Sequence, residues 1–319
     1  MPKVLITRRW PLAVEAELQK RYELTVRNSS LTVPEWHSAL KEFDAICPCV
    51  IDKIGGDMLK VISPRTKLLA NFGVGYNHID LVAAAARGIS VSNTPDVLTH
   101  ATAELAMTLM QMLARRAGEG ERQMRSRQWH GWYPTHLMGT QITGATLGII
   151  GMGRIGMSMA QKAHGGFGMK ILYHNRKPVN DSTVSAMHAE YCADVQSLLQ
   201  RSDFVALHCP GGKNNRHLIN AEALAQMQPH AFLINTARGD VVDENALVAA
   251  LQQGRIAGAG LDVYEHEPEV AAELLAMENV VLLPHLGSAT TATREAMGMR
   301  VLNNLDAFFN NQPMPDRVV

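Results

Sequence analysis

The sequence predicts an α/β protein built from two parallel-sheet domains, the second inserted into the first. Three observations carry this. Short strand-like runs alternate with helical ones through the first hundred residues, and the alternation resumes from residue 145 onward. Between them a glycine-rich turn, Leu147-Gly-Ile-Ile-Gly151-Met-Gly153-Arg-Ile-Gly156, falls near the middle of the 319-residue chain. A chain of this length holds two domains of ordinary size, each with its own core.

Taken in order, strands over Lys3–Thr7, Ala45–Cys49, Leu68–Asn71 and Ser90–Ser92 interleave with helices over Ala13–Arg21, Val33–Leu40, Gly56–Ile62 and Asp80–Arg87. A helical pattern over Ala101–Arg116 leads away as a crossover. Beyond the glycine turn, strands over Lys170–His174, Phe204–His208, Ala231–Asn235, Ala257–Asp262 and Val280–Leu283 alternate with helices over Val195–Arg201, Ala221–Met227 and Glu244–Gln253, the pattern of a doubly wound sheet. A last helix, Ala289–Asn310, is long enough to return to the N-terminal unit and leaves Gln312–Val319 as a tail. The expected boundaries are residues 1–99 with 289–319 for the outer domain and 100–288 for the inserted one.

The apolar run Ala145–Ile150 reads as a buried strand and Ile155–Ala163 as a helix, so the turn has a strand before it and a helix after. Gly151 permits the tight bend, Gly153 lets backbone approach a pyrophosphate, and Gly156 lets helix pack on strand. The N–H groups of Arg154 and Ile155 open the helix toward an anion. A dinucleotide site follows, and both domains read as Rossmann-like.

Composition excludes several partners. Lys+Arg and Asp+Glu each number 30, which leaves no basic field for nucleic acid or an anionic membrane. The N-terminus enters a strand pattern at once and no segment reaches membrane-span length, so a cytoplasmic protein is expected. Cys47, Cys49, Cys192 and Cys209 are too scattered for a disulfide framework. With no His-Glu-x-x-His and no paired Cys-x-x-Cys, no metal is expected.

In open parallel sheets, ligands sit beyond the carboxyl ends of the strands. Ala231–Ala237 ends there at Arg238-Gly-Asp240, Gly258–Val263 runs into Glu265-His-Glu267-Pro268, and Val280–Pro284 ends at His285. Arg238 can hold a carboxylate and a ketone oxygen, His285 can donate a proton as hydride arrives, and Glu267 can keep the imidazole oriented and charged. Singly, each has a plainer reading as a turn cap, a solvated carboxylate or a structural histidine. Their joint occurrence at strand ends after a dinucleotide turn favours hydride transfer to a 2-oxo acid.

The chain resembles the D-isomer-specific 2-hydroxyacid dehydrogenases over essentially its whole length. The resemblance rests on Asn71-Phe-Gly-Val-Gly-Tyr-Asn-His-Ile-Asp80, Asn93-Thr-Pro-Asp-Val-Leu-Thr99 running into Ala101-Thr-Ala-Glu104, the glycine turn, Asn235-Thr-Ala-Arg238-Gly-Asp240, Leu261-Asp262-Val263 with Glu267-Pro268, and Pro284-His285-Leu-Gly287-Ser-Ala-Thr290. It implies His285 as general acid/base, Glu267 as its partner, and Arg238 with the Val74 and Gly75 backbone as ligands of the substrate carboxylate. It also implies Thr102 at a phosphate, and Asp262 with the Thr236 backbone at the nicotinamide amide. Cys209, Pro210, Arg238, His285 and Gly287 join the cofactor contacts, and closure by hinge motion about the His100 and Ala289 crossovers is expected.

Departures from the family pattern are informative. Many relatives that use NAD carry an acidic residue at the end of the second strand of the cofactor domain, where it accepts from the ribose hydroxyls. Here Tyr173-His-Asn175-Arg176-Lys177 has Asn. Asn175 would not repel a 2′-phosphate and Arg176 with Lys177 offers positive charge, so NADP is the expected cofactor, with NADPH favoured and NADH left open. An Arg follows the acidic residue in NAD users too, and Lys177 reads equally well as a solvated charge. Pro210-Gly211-Gly212 replaces a usually bulkier pair and is expected to loosen that loop.

The run Trp129-His-Gly-Trp132-Tyr-Pro-Thr-His136-Leu-Met-Gly139 is similar to a segment of glyoxylate/hydroxypyruvate reductases that lies at their dimer interface. A homodimer is therefore expected. Small 2-oxo acids are the expected substrates: glyoxylate, hydroxypyruvate and 2-ketogluconate. Phenylpyruvate or pyruvate, or a dinucleotide-sensing corepressor role, stand as alternatives.

Overall fold

The computed structural model describes residues Met1–Val319. In chain order, the first elements are β1 (Lys3–Ile6), α1 (Leu12–Gln19), β2 (Glu23–Val26), α2 (Val33–Glu42), β3 (Ala45–Cys47), β4 (Leu68–Ala70), α3 (Leu81–Ala86) and β5 (Ser90–Ser92). Next come α4 (Thr99–Ala114), α5 (Ala117–Arg125), β6 (Thr146–Ile150), α6 (Arg154–Phe167), β7 (Lys170–His174), α7 (Ser182–Ala186), β8 (Glu190–Tyr191), α8 (Val195–Arg201) and β9 (Phe204–Leu207). The chain finishes with α9 (Ala221–Gln226), β10 (Phe232–Asn235), α10 (Glu244–Gln252), β11 (Gly258–Leu261), α11 (Ala272–Ala276), β12 (Val280–Leu282) and α12 (Thr291–Phe309). The chain divides into two compact units, Met1–Leu98 with Ser288–Val319, and Thr99–Gly287.

The first unit holds a five-stranded parallel sheet in the order β2-β1-β3-β4-β5. Its inner strands are short and buried along their length, as expected of a sheet covered on both faces. Trp36 of α2 packs among Leu5, Ile46 and Leu69. That helix starts where Thr32 and Glu35 form a reciprocal capping box with Pro34 in the first turn, which fixes its direction over the sheet.

One expectation fails in this unit. Gly56–Ile62 is not a helix. Met58, Leu59 and Lys60 donate to carbonyls three residues back, the pattern of successive tight turns. Gly55-Gly56 has poor helix propensity, and Ser63 at φ +50° followed by Pro64 stops any propagation. The expected tail, Gln312–Val319, is fixed to the sheet. Val318 N–H donates to Val91 O at 2.7 Å and Val91 N–H to Val319 O at 3.1 Å, so the segment runs along β5. Buried Asp316 anchors it, taking both Arg300 nitrogens at 2.8 and 2.7 Å and Asn304 Nδ2 at 2.9 Å.

The second unit holds a seven-stranded parallel sheet in the order β12-β11-β10-β9-β6-β7-β8. The chain starts at β6 in the interior, winds outward through β7 and β8, then returns to β9 on the other side. The carboxyl ends of β6 and β9 therefore form the switch point where ligands of such sheets bind. One face is covered by Leu198, Leu224, Leu247 and Leu274, the other by Leu109, Met110, Met159 and Ala163. Small residues in β11 admit α4: a Cβ on Gly260 would lie 3.0 Å from Leu113 Cδ1. No helix is long and apolar enough to cross a membrane.

Candidate active site

The glycine turn sits at the switch point, joining β6 to α6. Gly151 has φ +100°, and a Cβ there would stand 2.5 Å from Cys209 N; one on Gly156 would stand 2.3 Å from Gly151 O. Neither position tolerates a side chain. Gly153, by contrast, faces open space, and it begins α6 with no side chain capping the first N–H groups. The turn is thus closely packed behind and open in front at Gly153, where α6 begins. This fits the pyrophosphate of a dinucleotide.

At the end of β7, Asn175 turns its side chain back onto this turn, Oδ1 accepting from Met152 N–H at 2.7 Å. Only the amide oxygen can accept, so the orientation is set and Nδ2 is the polar atom left to face outward. Arg176 and Lys177 are exposed beside it. On the β9 side, burial pushes the Cys209 thiol up to about 11, and Pro210 O accepts from Asn215 Nδ2 at 2.7 Å. The Gly211–Gly212 loop is not loosened: Gly212 N–H donates to Asp240 Oδ2 at 2.7 Å.

The ionisable groups meet at the ends of β10, β11 and β12. His285 Nδ1 lies 2.8 Å from Glu267 Oε2, while Glu267 Oε1 accepts from Tyr264 N–H at 3.1 Å. Burial pushes the Glu267 carboxyl up. The hydrogen bond and charge of His285, the Tyr264 amide and the Arg238 charge outweigh that and hold it below the usual glutamate range. An ionised Glu267 requires Nδ1 to carry a proton, leaving Nε2 for a reactant. Burial lowers Arg238, opposed by the carboxylates of Glu267 and Asp240, and its Nη1 donates to Ala237 O at 2.6 Å.

His285 stands in the left-handed region at φ +55°, costly for a side chain with a Cβ. Asp262 holds it there. Its carbonyl accepts from His285 N–H at 2.9 Å, and its carboxylate oxygens accept from Leu286 N–H at 2.6 Å and Gly287 N–H at 2.8 Å. Thr102, buried at the start of α4, spends its hydroxyl on Gly287 O at 3.0 Å. Thr236 Oγ1 is buried without a protein partner. In the first unit, Asn71 Nδ2 donates to Gly73 O and Gly75 O, both at 3.0 Å, and Asn93 Nδ2 to Val74 O at 2.8 Å. The loop carrying Val74 and Gly75 is therefore tied through its carbonyls, leaving its amides as donors. Sequence reading missed the grip of Asp262 on the His285 turn, the Asn175–Met152 bond and the Asp240–Gly212 bond. None has a local motif, since each joins residues at least 23 positions apart.

The family model for the D-isomer specific 2-hydroxyacid dehydrogenase NAD binding domain matches residues 107–287. The chain is 44% identical over 325 residues to a glyoxylate reductase of Thermococcus litoralis, covering 99% of this chain and 96% of the relative. It is 37% identical to a glycerate dehydrogenase of Hyphomicrobium methylovorum, covering 98% and 97%. Among solved structures, the NADPH-dependent glyoxylate/hydroxypyruvate reductase of Sinorhizobium meliloti, in complex with NADP and malonate, superposes with a TM-score of 0.89 at 34% identity, covering 100% of this chain and 97% of that one. The chain belongs to the D-isomer-specific 2-hydroxyacid dehydrogenases. Within that family it is an NAD(P)-dependent D-2-hydroxyacid dehydrogenase close to the glyoxylate reductases.

Proposed function

We propose that the protein is an NADPH-preferring reductase that converts glyoxylate and hydroxypyruvate, and 2-ketogluconate as a longer hydroxylated acid, to D-2-hydroxy acids. The observation that carries this is the His285–Glu267 pair at 2.8 Å, set beside Arg238 on the sheet that bears the dinucleotide turn. A nicotinamide dinucleotide held by the glycine turn would supply the hydride that C2 of the 2-oxo acid accepts. Arg238 neutralises the carboxylate and draws electron density onto the ketone oxygen, with the Val74 and Gly75 amides as further carboxylate donors. His285 gives the Nε2 proton to that oxygen as it becomes a hydroxyl, and Glu267 steadies the imidazole through Nδ1. The amides of Gly153, Arg154 and Ile155, with Thr102, Cys209 and Pro210, would line the dinucleotide. Each Asp262 oxygen retains a second lone pair for the carboxamide, with the Thr236 backbone and Gly287 alongside.

NADPH preference rests on the fixed amide of Asn175. With Oδ1 held by Met152, the ribose meets a donor, which suits a 2′-phosphate flanked by Arg176 and Lys177. The second copy of a homodimer would cover Trp132, 81% exposed, with Trp129, Tyr133 and Met138; Met138 also lines a groove of about 600 Å³ with Met112, Leu113 and Leu275. The test is kcat/KM with NADPH and NADH over a panel of 2-oxo acids. Glyoxylate and hydroxypyruvate should outrank phenylpyruvate and pyruvate, and hydroxypyruvate should give D-glycerate. Asn175→Asp keeps an oxygen for Met152 but replaces the outward donor by a charged acceptor, so the NADPH/NADH ratio should fall by about tenfold or more. A ratio near unity that this variant leaves unchanged refutes the cofactor assignment, and phenylpyruvate as best substrate refutes the substrate assignment.

A further inference from the structure

The loop after β9 is joined to the Arg238 turn at every level the structure describes. A Cβ on Gly211 would lie 2.8 Å from Arg238 Cβ, 2.9 Å from Arg238 Cγ and 2.3 Å from Asp240 Oδ1. The aliphatic stem of Arg238 therefore rests directly on Gly211 backbone. Asp240 grips the same loop from the other side: Oδ2 accepts from Gly212 N–H at 2.7 Å and its carbonyl from His217 N–H at 2.8 Å. Asn215 N–H closes the loop onto Gly212 O at 2.9 Å, and Ile219 N–H continues the pairing onto Val241 O at 3.0 Å. Asp240 also opposes the effect of burial on the Arg238 charge.

From this geometry we infer that Gly211 and Asp240 are positioning residues for Arg238, fixing where its guanidinium meets the 2-oxo acid. The inference rests on the proposed role of Arg238. An arginine has four side-chain torsions and loses much rotamer freedom on ordering, so a stem held before substrate arrives spends less binding energy on being ordered. Any side chain at 211 lifts the stem off its support, and losing the Asp240 carboxylate frees the loop to move away. Both changes should weaken binding of the acid more than they slow its reduction.

The test compares Gly211→Ala, Asp240→Ala, Asp240→Asn and Arg238→Lys. Steady-state reduction of glyoxylate by NADPH is read alongside binding of oxamate, an unreactive analogue of a 2-oxo acid, to the NADPH complex. With NADPH saturating, because the same loop lines the dinucleotide, Gly211→Ala and Asp240→Ala should raise both KM for glyoxylate and Kd for oxamate about tenfold, with kcat within about threefold of the parent. Asp240→Asn, which keeps an oxygen for Gly212, should fall between. Asp240→Ala creates no clash and carries the test if Gly211→Ala does not fold. Weaker binding in Arg238→Lys with none in Gly211→Ala or Asp240→Ala overturns the positioning role alone. Unaltered oxamate binding in Arg238→Lys overturns the reading of Arg238 beneath it. A fall in melting temperature with unchanged KM and Kd assigns Asp240 to stability and also overturns the inference.

Discussion

Two turns at the carboxyl ends of one sheet place the backbone at positive φ by different means. Gly151 reaches φ +100° because it has no Cβ, and its neighbours pack against that absence. His285 reaches φ +55° with a Cβ in place, because buried Asp262 accepts three successive N–H groups from residues 285–287. The first turn is shaped by what its own residues lack. The second is imposed by a carboxylate 23 residues earlier in the chain. A backbone site for phosphate can be specified locally, whereas a proton donor needs a particular side chain where glycine would be easier, and a second residue must hold it there.

The largest expected effect comes from removing that side chain. His285→Ala should lower kcat for glyoxylate reduction by about 10²–10⁴-fold while 2′,5′-ADP, which lacks the nicotinamide, binds as before. A loss of only a few fold removes His285 from proton transfer. Next, Asp262→Ala and Gly151→Ala should each destabilise the fold by about 3 kcal/mol in urea unfolding, but with opposite functional signatures. Asp262→Ala should strike kcat and spare 2′,5′-ADP binding, and Gly151→Ala should do the reverse. Matching losses in the two variants would abolish the distinction between the turns.

A third test probes the support behind the glycine turn. Burial pulls His208 down to about 4, with Nε2 on Met159 Sδ and Nδ1 unpartnered. The folded protein keeps this imidazole neutral, while the unfolded chain takes up a proton near pH 6.5. Its contribution is thus full above about pH 6.5 and is lost as pH falls from there toward 4. Between pH 7 and 5 the parent should lose roughly 2 kcal/mol that His208→Asn does not lose, measured by urea unfolding. Equal slopes would show that the ring is solvated. The smallest effect belongs to Glu267, whose carboxyl is held below its usual 4.5. Its stabilising contribution is present above about pH 4.5 and fades as pH falls through the lowered value. Glu267→Gln should therefore be about 1 kcal/mol less stable at pH 7, with the gap closing in acid.

The contrast between the turns also explains what could be read in advance. Most strands, the dinucleotide turn and the groups at the ends of β10 to β12 are written in local patterns: apolar runs, glycine spacing, and a charged residue after each run. The helix expected at Gly56–Ile62 was misread because its apolar spacing outweighed Gly55-Gly56 and Pro64. The half-exposed edge strand β2 carries too little apolar signal to stand out. The pairing of the tail could not be read because its partner, β5, lies more than two hundred residues away. The engagement of Asp262, Thr102 and Asn175 with backbone groups was illegible for the same reason, since a hydrogen bond across the sheet leaves no periodicity.

The bond from Thr102 Oγ1 to Gly287 O, 3.0 Å long and spanning 185 residues, bears on how the chain folds. The five-stranded sheet needs α12 and the β5-pairing tail, so one of its halves waits for the other across the whole of Thr99–Gly287. As a flexible tether that stretch would impose a large loop-closure entropy. Once folded, it holds its own first and last turns together at this bond and delivers the two flanking halves side by side. The long connection then counts, kinetically, as a short one.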